Sequence, residues 1–290
     1  MTLAEHVAEA ALRLGASGVP AETVGTEAAA LARHVLGWNR EAYLCRLRDP
    51  APAAFGGRYA AVLDRRARRE PVSSIVGERE FWGLRFELSP AVLTPRPETE
   101  LLVEETLRIA ADRPGGTHHV VDAGTGSGCV AVALAGALPA ARITATDISA
   151  DALAVARRNA QRHGVRQRIA WVRTTWLAGV AGAPDVIVAN PPYIRDDDLD
   201  RLAPEVRDFE PRIALAGGPD GLDAVRTLVR TADERLAPGG HLVLEVGAGQ
   251  AAACAAAGRR RRLAVVRIRR DLQEIERVLV LRRAPTPSEP

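Results

Sequence analysis

Val121-Asp122-Ala123-Gly124-Thr125-Gly126-Ser127-Gly128 follows a short apolar run and leads into an apolar segment with helical spacing. Glycines let a backbone turn sharply and let a ligand approach it closely, so this stretch predicts a ligand-binding loop between a strand and a helix. The pattern is Gly-x-Gly-x-Gly, and Cys129 stands where the dinucleotide pattern Gly-x-Gly-x-x-Gly needs its last glycine. A purely structural turn is the alternative.

Alternating apolar runs and helical segments surround this loop. The runs predict strands at 119–123, 142–147, 168–173, 184–189 and 241–246, and the segments predict helices near 128–138, 149–163 and 222–237. Strands that are apolar on both faces are typical of a mostly parallel sheet with helices on both sides. Two final strands, at 263–268 and 277–281, leave no room for a crossover helix and should pair antiparallel. The sequence thus predicts an α/β domain with seven strands.

The rest of the chain divides by its periodicity. Residues 1–72 carry apolar residues at helical spacing, which predicts a small helical domain. Residues 73–97 form a linker in which 80–88 alternate around a glycine, as in a β-hairpin. The sheet domain takes residues 98–283, and the Pro/Ser-rich segment 284–290 is expected to be a disordered tail.

Composition excludes several classes of protein. With 47% hydrophobic and 26% charged residues, the chain is neither disordered, collagen-like nor a disulfide scaffold. No run approaches the roughly 20 apolar residues of a membrane span, and the N-terminus lacks a secretory leader. We therefore expect a cytoplasmic protein with no membrane partner. The three cysteines and six histidines fall in no metal-ligand spacing, so no metal site is predicted.

The basic residues form two clusters. Every basic residue is arginine, and the net charge is +3. The clusters are either solvated helix faces or a patch for an acidic or nucleic-acid partner, and charge alone does not decide between them. They comprise Arg65, Arg66, Arg68 and Arg69 in the first, and Arg259 to Arg262 in the second.

Asp147 ends the strand that follows the glycine loop. A carboxylate at this point is placed to accept hydrogen bonds from both ribose hydroxyls of a nucleoside. Its alternative role is to cap the helix that begins near Ser149. The loop and the acid together indicate nucleoside binding without distinguishing NAD from S-adenosylmethionine.

The apolar run 186–189 ends in Asn190-Pro191-Pro192-Tyr193. Two prolines cannot continue a strand, so they give a rigid, extended exit with free carbonyls. The side chain of Asn190 and the carbonyl of Pro191 offer two acceptors beside an aromatic ring, which suits a planar NH2 group. A plain strand-ending turn is the alternative.

At these residues the chain resembles S-adenosylmethionine-dependent methyltransferases that act on amino groups. Further motifs narrow the resemblance to the release factor glutamine methyltransferase family (HemK/PrmC) over about residues 70–282. They are Glu70-Pro71-Val72, Ile75-Val76-Gly77, Glu80 to Leu84, Leu93 to Glu100, Phe209-Glu210-Pro211, Ala214-Leu215, Gly217-Gly218, Asp220-Gly221 and Leu236 to Gly247.

The resemblance implies a Rossmann-like methyltransferase domain that methylates the glutamine of the Gly-Gly-Gln motif in class-I peptide chain release factors. It implies that S-adenosylmethionine is held by Gly124, Thr125, Gly126, Ser127, Gly128, Asp147, Trp176 and Asn190. It further implies that Asn190, Pro191, Pro192 and Tyr193 hold the substrate and carry catalysis. Thr175 stands where family members often have Asp, and Trp176 has core packing as its alternative role.

Three other functions stay open. A sister family methylates a glutamine of a ribosomal protein, but Pro97 after Arg96 favours the release-factor branch. An adenine-N6 nucleic-acid methyltransferase would use the same Asn-Pro-Pro-Tyr, although no basic and aromatic interleaving indicates a nucleic-acid substrate. A non-catalytic nucleoside- or RNA-binding module would not need the acceptor pair. The sequence gives no oligomeric state.

Overall fold

The computed structural model describes residues 1–112 and 118–285. The chain forms two compact units. The helical unit comprises residues 1–78 and 203–209, and the sheet unit comprises 79–202 and 210–290. Most of the segment predicted as a disordered tail, 286–290, lies outside the described residues.

The helical unit packs amphipathic helices around one apolar core. Its helices are α1 (Leu3–Ala16), α2 (Val24–Leu36), α3 (Arg40–Cys45), α4 (Phe55–Ala67) and α5 (Val72–Val76). Thr2 and Glu5 form a capping box that begins α1, and left-handed Gly37 ends α2. Leu14, Leu31 and Tyr59 belong to the core. The last of these helices, α5, occupies part of the segment predicted as a linker.

The first arginine cluster lies on α4 and just after it. Arg66 is only 3% exposed and bonds to Glu27 and Glu205, so the solvated-face interpretation is wrong for this residue. Arg69 also donates to Glu205. By contrast, Arg259 to Arg262 are exposed, which both interpretations of this cluster allow.

A hairpin of β1 (Glu78–Phe81) and β2 (Leu84–Glu87) precedes the sheet. Trp82 and Gly83 join the strands with φ of +55° and +69°, the left-handed pair of a type I′ turn. Phe81 and Phe86 are buried in the core of the sheet unit.

Seven strands of the described residues form one sheet in the order β5-β4-β3-β6-β7-β9-β8. The first five in sequence are parallel, and β9 runs antiparallel to both neighbours, as the short connection before it predicts. The strands are β3 (His119–Ala123), β4 (Arg142–Asp147), β5 (Ile169–Arg173), β6 (Val186–Ala189), β7 (His241–Glu245), β8 (Leu263–Arg270) and β9 (Glu276–Arg283). The predicted seven-stranded α/β fold is confirmed.

Helices cover both faces of this sheet. They are α6 (Glu100–Ala111), α7 (Cys129–Ala137), α8 (Ala150–Arg162), α10 (Asp223–Arg235) and α11 (Ala251–Arg259), whereas α9 (Pro204–Arg207) belongs to the helical unit. One apolar core includes Leu102 of α6 and Val188 of β6, and the other includes Leu228 of α10 and Ile187 of β6. Sequence reasoning missed α11, because its run of alanines has no polar face to give a helical period.

The strand order reverses between β3 and β6. From β3 the chain adds β4 and β5 on one side, and then β6 and β7 on the other. Loops at the carboxyl ends of two such strands diverge and leave a crevice where ligands bind. Among the residues that the structure describes, no helix is long and apolar enough to cross a membrane.

Candidate functional site

A cavity of about 420 Å³ opens at the carboxyl ends of β3, β4 and β6. Its volume is within the roughly 300–1,000 Å³ of small-molecule sites. All of its lining residues belong to the sheet unit. The predicted site residues that line it are Gly124, Thr125, Gly126, Ser127, Asp147, Trp176, Asn190 and Pro192. Gly128, Pro191 and Tyr193 are not among the lining residues.

The glycine loop, Gly124 to Gly128, is held by its backbone. Gly124, Gly126 and Gly128 have φ of +80°, +53° and +82°, values that L side chains rarely adopt. The N–H groups of Gly124 and Thr125 both donate to the carbonyl of Thr146 on β4, at 2.9 and 2.8 Å. These hydrogen bonds therefore fix the shape of the loop beside the cavity.

Gly128 serves the packing of helices. It precedes α7, and a Cβ there would lie 2.9 Å from the Cβ of Ala156 on α8. A glycine is thus needed for close approach of α8 to the start of α7.

Asp122 ties the loop to the strand before it. It is buried and accepts hydrogen bonds from the Thr125 hydroxyl at 2.6 Å and the Ala131 N–H at 3.1 Å. Burial raises the pKa of Asp122 to about 7, although these hydrogen bonds oppose the shift. The local sequence pattern around Asp122 does not predict this role.

Asp147 stands at the end of β4 and faces the cavity. Its Oδ2 accepts from the Gly126 N–H at 2.9 Å, and its Oδ1 accepts from the Ser149 N–H at 2.9 Å. The side chain that caps α8 belongs to Ser149, which accepts from the Ala152 N–H. The capping alternative for Asp147 is therefore wrong, and its side chain lines the cavity with acceptor capacity left over.

Trp176 packs against the core and also lines the cavity. Its ring lies 3.4 Å from the position that a Cβ on Gly124 would take. Its φ of +52° is unusual for a bulky residue and marks backbone strain of the kind found at functional sites. Thr175 lines the cavity beside it.

Asn190 lies directly after β6 and is oriented by Thr99. Its Nδ2 donates to the Thr99 hydroxyl oxygen at 3.2 Å, and that hydroxyl donates to Glu245 Oε2 at 2.7 Å. The described residues donate no hydrogen bond to Asn190 Oδ1. Sequence reasoning did not find Thr99 or Glu245 as partners of Asn190; the one signal was a carboxylate at the end of the apolar strand β7.

The segment after Asn190 is held by contacts with Gln250 and Gly221. Gln250 Nε2 donates to the Tyr193 carbonyl at 2.9 Å, and a Cβ on Gly221 would lie 2.4 Å from that oxygen. Burial and the nearby Glu245 raise the pKa of Tyr193 to about 12, so its phenol stays protonated. The contacts of Gln250 and Gly221 fix the backbone at Tyr193, directly after the two prolines.

One wall of the cavity includes Thr94, Arg96 and Pro211. Arg96 bonds to Glu210 Oε2 at 2.6 Å, and the Thr94 N–H donates to Glu210 Oε1 at 3.4 Å. Burial raises the pKa of the Glu210 carboxyl, with Arg96 opposing the shift. This pair joins the segment before α6 to the segment that follows α9.

The donors and acceptors fit S-adenosylmethionine. The glycine loop leaves room for backbone approach, Asp147 offers acceptors for ribose hydroxyls, and Trp176 offers an aromatic wall for a base. Within 1–112 and 118–285, no group of three or more His, Cys, Asp or Glu side chains is placed to hold a metal ion.

Solved structures with this fold include a methyltransferase from Pyrococcus furiosus and the catalytic domain of hMettl16 in complex with MAT2A 3′UTR hairpin 6. The first has a TM-score of 0.52 at 20% identity and covers 79% of this chain and 100% of its own. The second has a TM-score of 0.57 at 16% identity, covering 75% and 81%. At these identities they show the fold alone.

Two family models match the chain. The methyltransferase small domain matches residues 97–205, and the PrmC N-terminal domain matches residues 5–77. The release factor glutamine methyltransferase of Cereibacter sphaeroides is 43% identical over 97% of this chain and 99% of its own. That of Moorella thermoacetica is 43% identical over 86% and 87%. The chain therefore belongs to the release factor glutamine methyltransferase family.

Proposed function

We propose that this protein transfers a methyl group from S-adenosylmethionine to the side-chain amide nitrogen of the glutamine in the Gly-Gly-Gln motif of class-I peptide chain release factors. The observation that carries the proposal is the Asn190 amide. It lines the cavity with Nδ2 held by Thr99 and Oδ1 left without a donor among the described residues. A carbonyl oxygen held in this way accepts a hydrogen bond from an incoming NH2 group.

Asp147, Trp176 and the glycine loop are the residues that we propose for holding S-adenosylmethionine. When bound, this cofactor supplies an electrophilic methyl group. Asp147 would accept from the ribose, and the ring of Trp176 would cover the base. The positions of these side chains around one cavity support the assignment.

Asn190 and the carbonyl of Pro191 would hold both hydrogens of the substrate amide. An amide nitrogen is a poor nucleophile, because its lone pair is delocalised into the carbonyl. Two fixed acceptors stabilise the positive charge that develops on the nitrogen, and fixed dipoles of this kind are worth about 3–4 kcal/mol each. They also align the nitrogen, which lowers the entropic cost of reaction.

We propose that the helical unit recognises the release factor. In support, the PrmC N-terminal domain model matches residues 5–77. The cavity that holds the proposed chemistry is lined by the sheet unit, so the proposal gives the helical unit no part in the chemistry itself.

Mass spectrometry tests the substrate. A release factor and a nucleic acid are each incubated with the enzyme and S-adenosylmethionine, and we expect one added methyl on the Gly-Gly-Gln glutamine alone. Methylation of the nucleic acid alone would favour the adenine alternative. Methylation of neither would contradict the proposal.

Asn190→Ala tests the site. Because the contact strengthens as the nitrogen becomes positive, we expect the single-turnover rate to fall about 100-fold or more with cofactor affinity little changed. Asn190→Asp keeps acceptors and should retain more activity than the alanine variant and less than the parent. If Asn190→Ala methylates at the parental rate, the role given to Asn190 is wrong.

A further inference from the structure

Three side chains from three elements meet beside the cavity. In the parallel pair of β6 and β7, Ala189 is opposite Leu244, so Asn190 and Glu245 are the next pair in register. Side chains alternate along a strand, which places both on the sheet face that carries Val188 and Val243. The helix α6 packs on that face, and Thr99 directly precedes its first residue.

The hydrogen bonds among them run in one direction. A threonine hydroxyl has one hydrogen to donate, and here that hydrogen goes to Glu245 at 2.7 Å. Thr99 Oγ1 therefore faces Asn190 with a lone pair, to which Asn190 donates through Nδ2 at 3.2 Å. The amide of Asn190 is left with Oδ1 on the other side.

We propose that ionised Glu245, acting through Thr99, is the positioning group that keeps Asn190 Oδ1 directed at the substrate NH2. This proposal deepens the proposed function and rests on its assignment of Asn190. A protonated Glu245 no longer needs the hydrogen of Thr99. Thr99 can then donate to Asn190, and the amide can rotate to offer its NH2 to the cavity, where it would repel the substrate NH2.

The charge on Glu245 is poised to change near neutral pH. Burial raises the pKa of Glu245 to about 7; the hydrogen bond from Thr99 opposes this shift. Three charged groups act on the pKa of Glu245: Glu98 raises it, and Arg277 and Arg96 lower it. Glu245 in turn raises the pKa values of Tyr193 and Cys129. The active form is the ionised one, so kcat should decline as the pH falls through about 7.

Kinetics of two Thr99 variants test the geometry. Thr99 makes no side-chain cap bond to α6, so Thr99→Val keeps the shape and removes only the hydroxyl. We expect kcat to fall about tenfold, since one directing hydrogen bond is lost, with KM for S-adenosylmethionine unchanged. Thr99→Ser keeps the hydroxyl and should restore kcat to within about threefold of the parent.

The dependence of kcat on pH tests whether the charge on Glu245 is needed. In the parent, kcat should decline below about pH 7. Glu245→Gln cannot ionise, so its kcat should not change with pH below about 7. Its kcat should be about three- to tenfold below that of the parent, because the glutamine amide can present either its oxygen or its NH2 to the Thr99 hydroxyl.

Matched controls come from the same helix, α6. Thr106 is buried and donates only to the carbonyl of Leu102, so Thr106→Val removes a hydroxyl without touching Asn190. Glu105 is buried and paired with Arg108 and Arg269, so Glu105→Gln removes a buried carboxylate elsewhere. Both should keep the parental kcat and the decline below pH 7.

A readout without methylation separates this proposal from the proposed function. Carbon-13 NMR of glutamate-labelled protein, assigned with Glu245→Gln, should show a carboxyl that titrates near pH 7. The side-chain NH2 resonances of Asn190 should shift with the same midpoint in the parent and not in Thr99→Val. If no release factor is methylated while these shifts appear, the proposed function fails, but the positioning of Asn190 by Glu245 through Thr99 is supported. If Thr99→Val keeps the parental kcat and the Asn190 resonances do not respond to pH, this positioning role is wrong.

Discussion

Asp147 fixes the glycine loop and is the carboxylate that we propose for the ribose. Its two oxygens accept from Gly126 and Ser149, which fixes the glycine loop against the end of β4. The carboxylate also lines the cavity, where it has further lone pairs for ribose hydroxyls. Asp147 therefore shapes the site, and we propose that it also binds the cofactor.

Replacing Asp147 by Ala should weaken S-adenosylmethionine binding by about 1.5–3 kcal/mol, the usual cost of losing hydrogen bonds to a charged group. Calorimetry measures the affinity, and thermal unfolding shows whether the variant is folded. Asp151→Ala, an exposed position in the first turn of α8, is the control and should bind as the parent does. Unchanged affinity in folded Asp147→Ala would remove Asp147 from the ribose site.

At the scale of elements, the contact between α7 and α8 positions the loop. Gly128 starts α7 in a left-handed conformation and meets Ala156 of α8. The side chain of Asn159, also on α8, donates to the carbonyl of Ser127 at 2.9 Å. Packing of these helices thus fixes the glycine loop on its helix side, while Asp122 of β3 and Asp147 of β4 fix it through hydrogen bonds from the strands.

Gly128→Ala should destabilise the sheet unit by about 2–4 kcal/mol, because the left-handed backbone and the 2.9 Å contact both oppose a Cβ. Gly136→Ala is the matched control. It lies on the same helix with nothing within 4 Å of its Cβ, and should be neutral or stabilising by up to about 1 kcal/mol. Urea unfolding measures both. Equal stability of the two variants would contradict the packing role of Gly128.

At the scale of the whole molecule, local patterns predicted most of the sheet unit and its loop. The apolar runs that end near Gly124, Asp147 and Asn190 predict where three strands end. The carboxyl ends of parallel strands lie at one edge of the sheet, so these residues are predicted to lie close together. The Thr99 and Glu245 contacts need the register of β6 against β7, which no local pattern contains.

The path of the chain between the two units was also outside the reach of sequence. After Leu202 it leaves the sheet unit, joins the helical unit for residues 203–209, and returns at Glu210. Within the helical unit, Glu205 on this segment accepts hydrogen bonds from Arg66 and Arg69 of the N-terminal part. Residues so far apart in the sequence belong to no common hydrophobic period, so their pairing cannot be predicted from sequence patterns.

Glu205 should make the attachment of this segment sensitive to acid. Burial acts to raise the pKa of Glu205, but hydrogen bonds from Arg69 and Arg66 outweigh it and hold that pKa below its usual value of 4.5. A carboxyl whose pKa is depressed by folding stabilises the folded state above its unfolded pKa, and this stability is lost as the pH falls through the folded pKa. The attachment of residues 203–209 to the helical unit should therefore weaken progressively as the pH falls below the usual pKa of 4.5.

Amide hydrogen exchange of Val206 and Arg207, which donate to the Ala203 carbonyl, measures this attachment. Glu205→Gln should lose protection already at pH 7, by on the order of 3 kcal/mol, because it leaves Arg66 buried with fewer partners. Its protection should also change less between pH 6 and pH 3.5 than that of the parent. Glu22→Gln, at an exposed position of the same unit, should match the parent throughout. If Glu205→Gln and the parent have the same protection at pH 7, the ion pairs do not hold residues 203–209, and apolar contacts of that segment must do so instead.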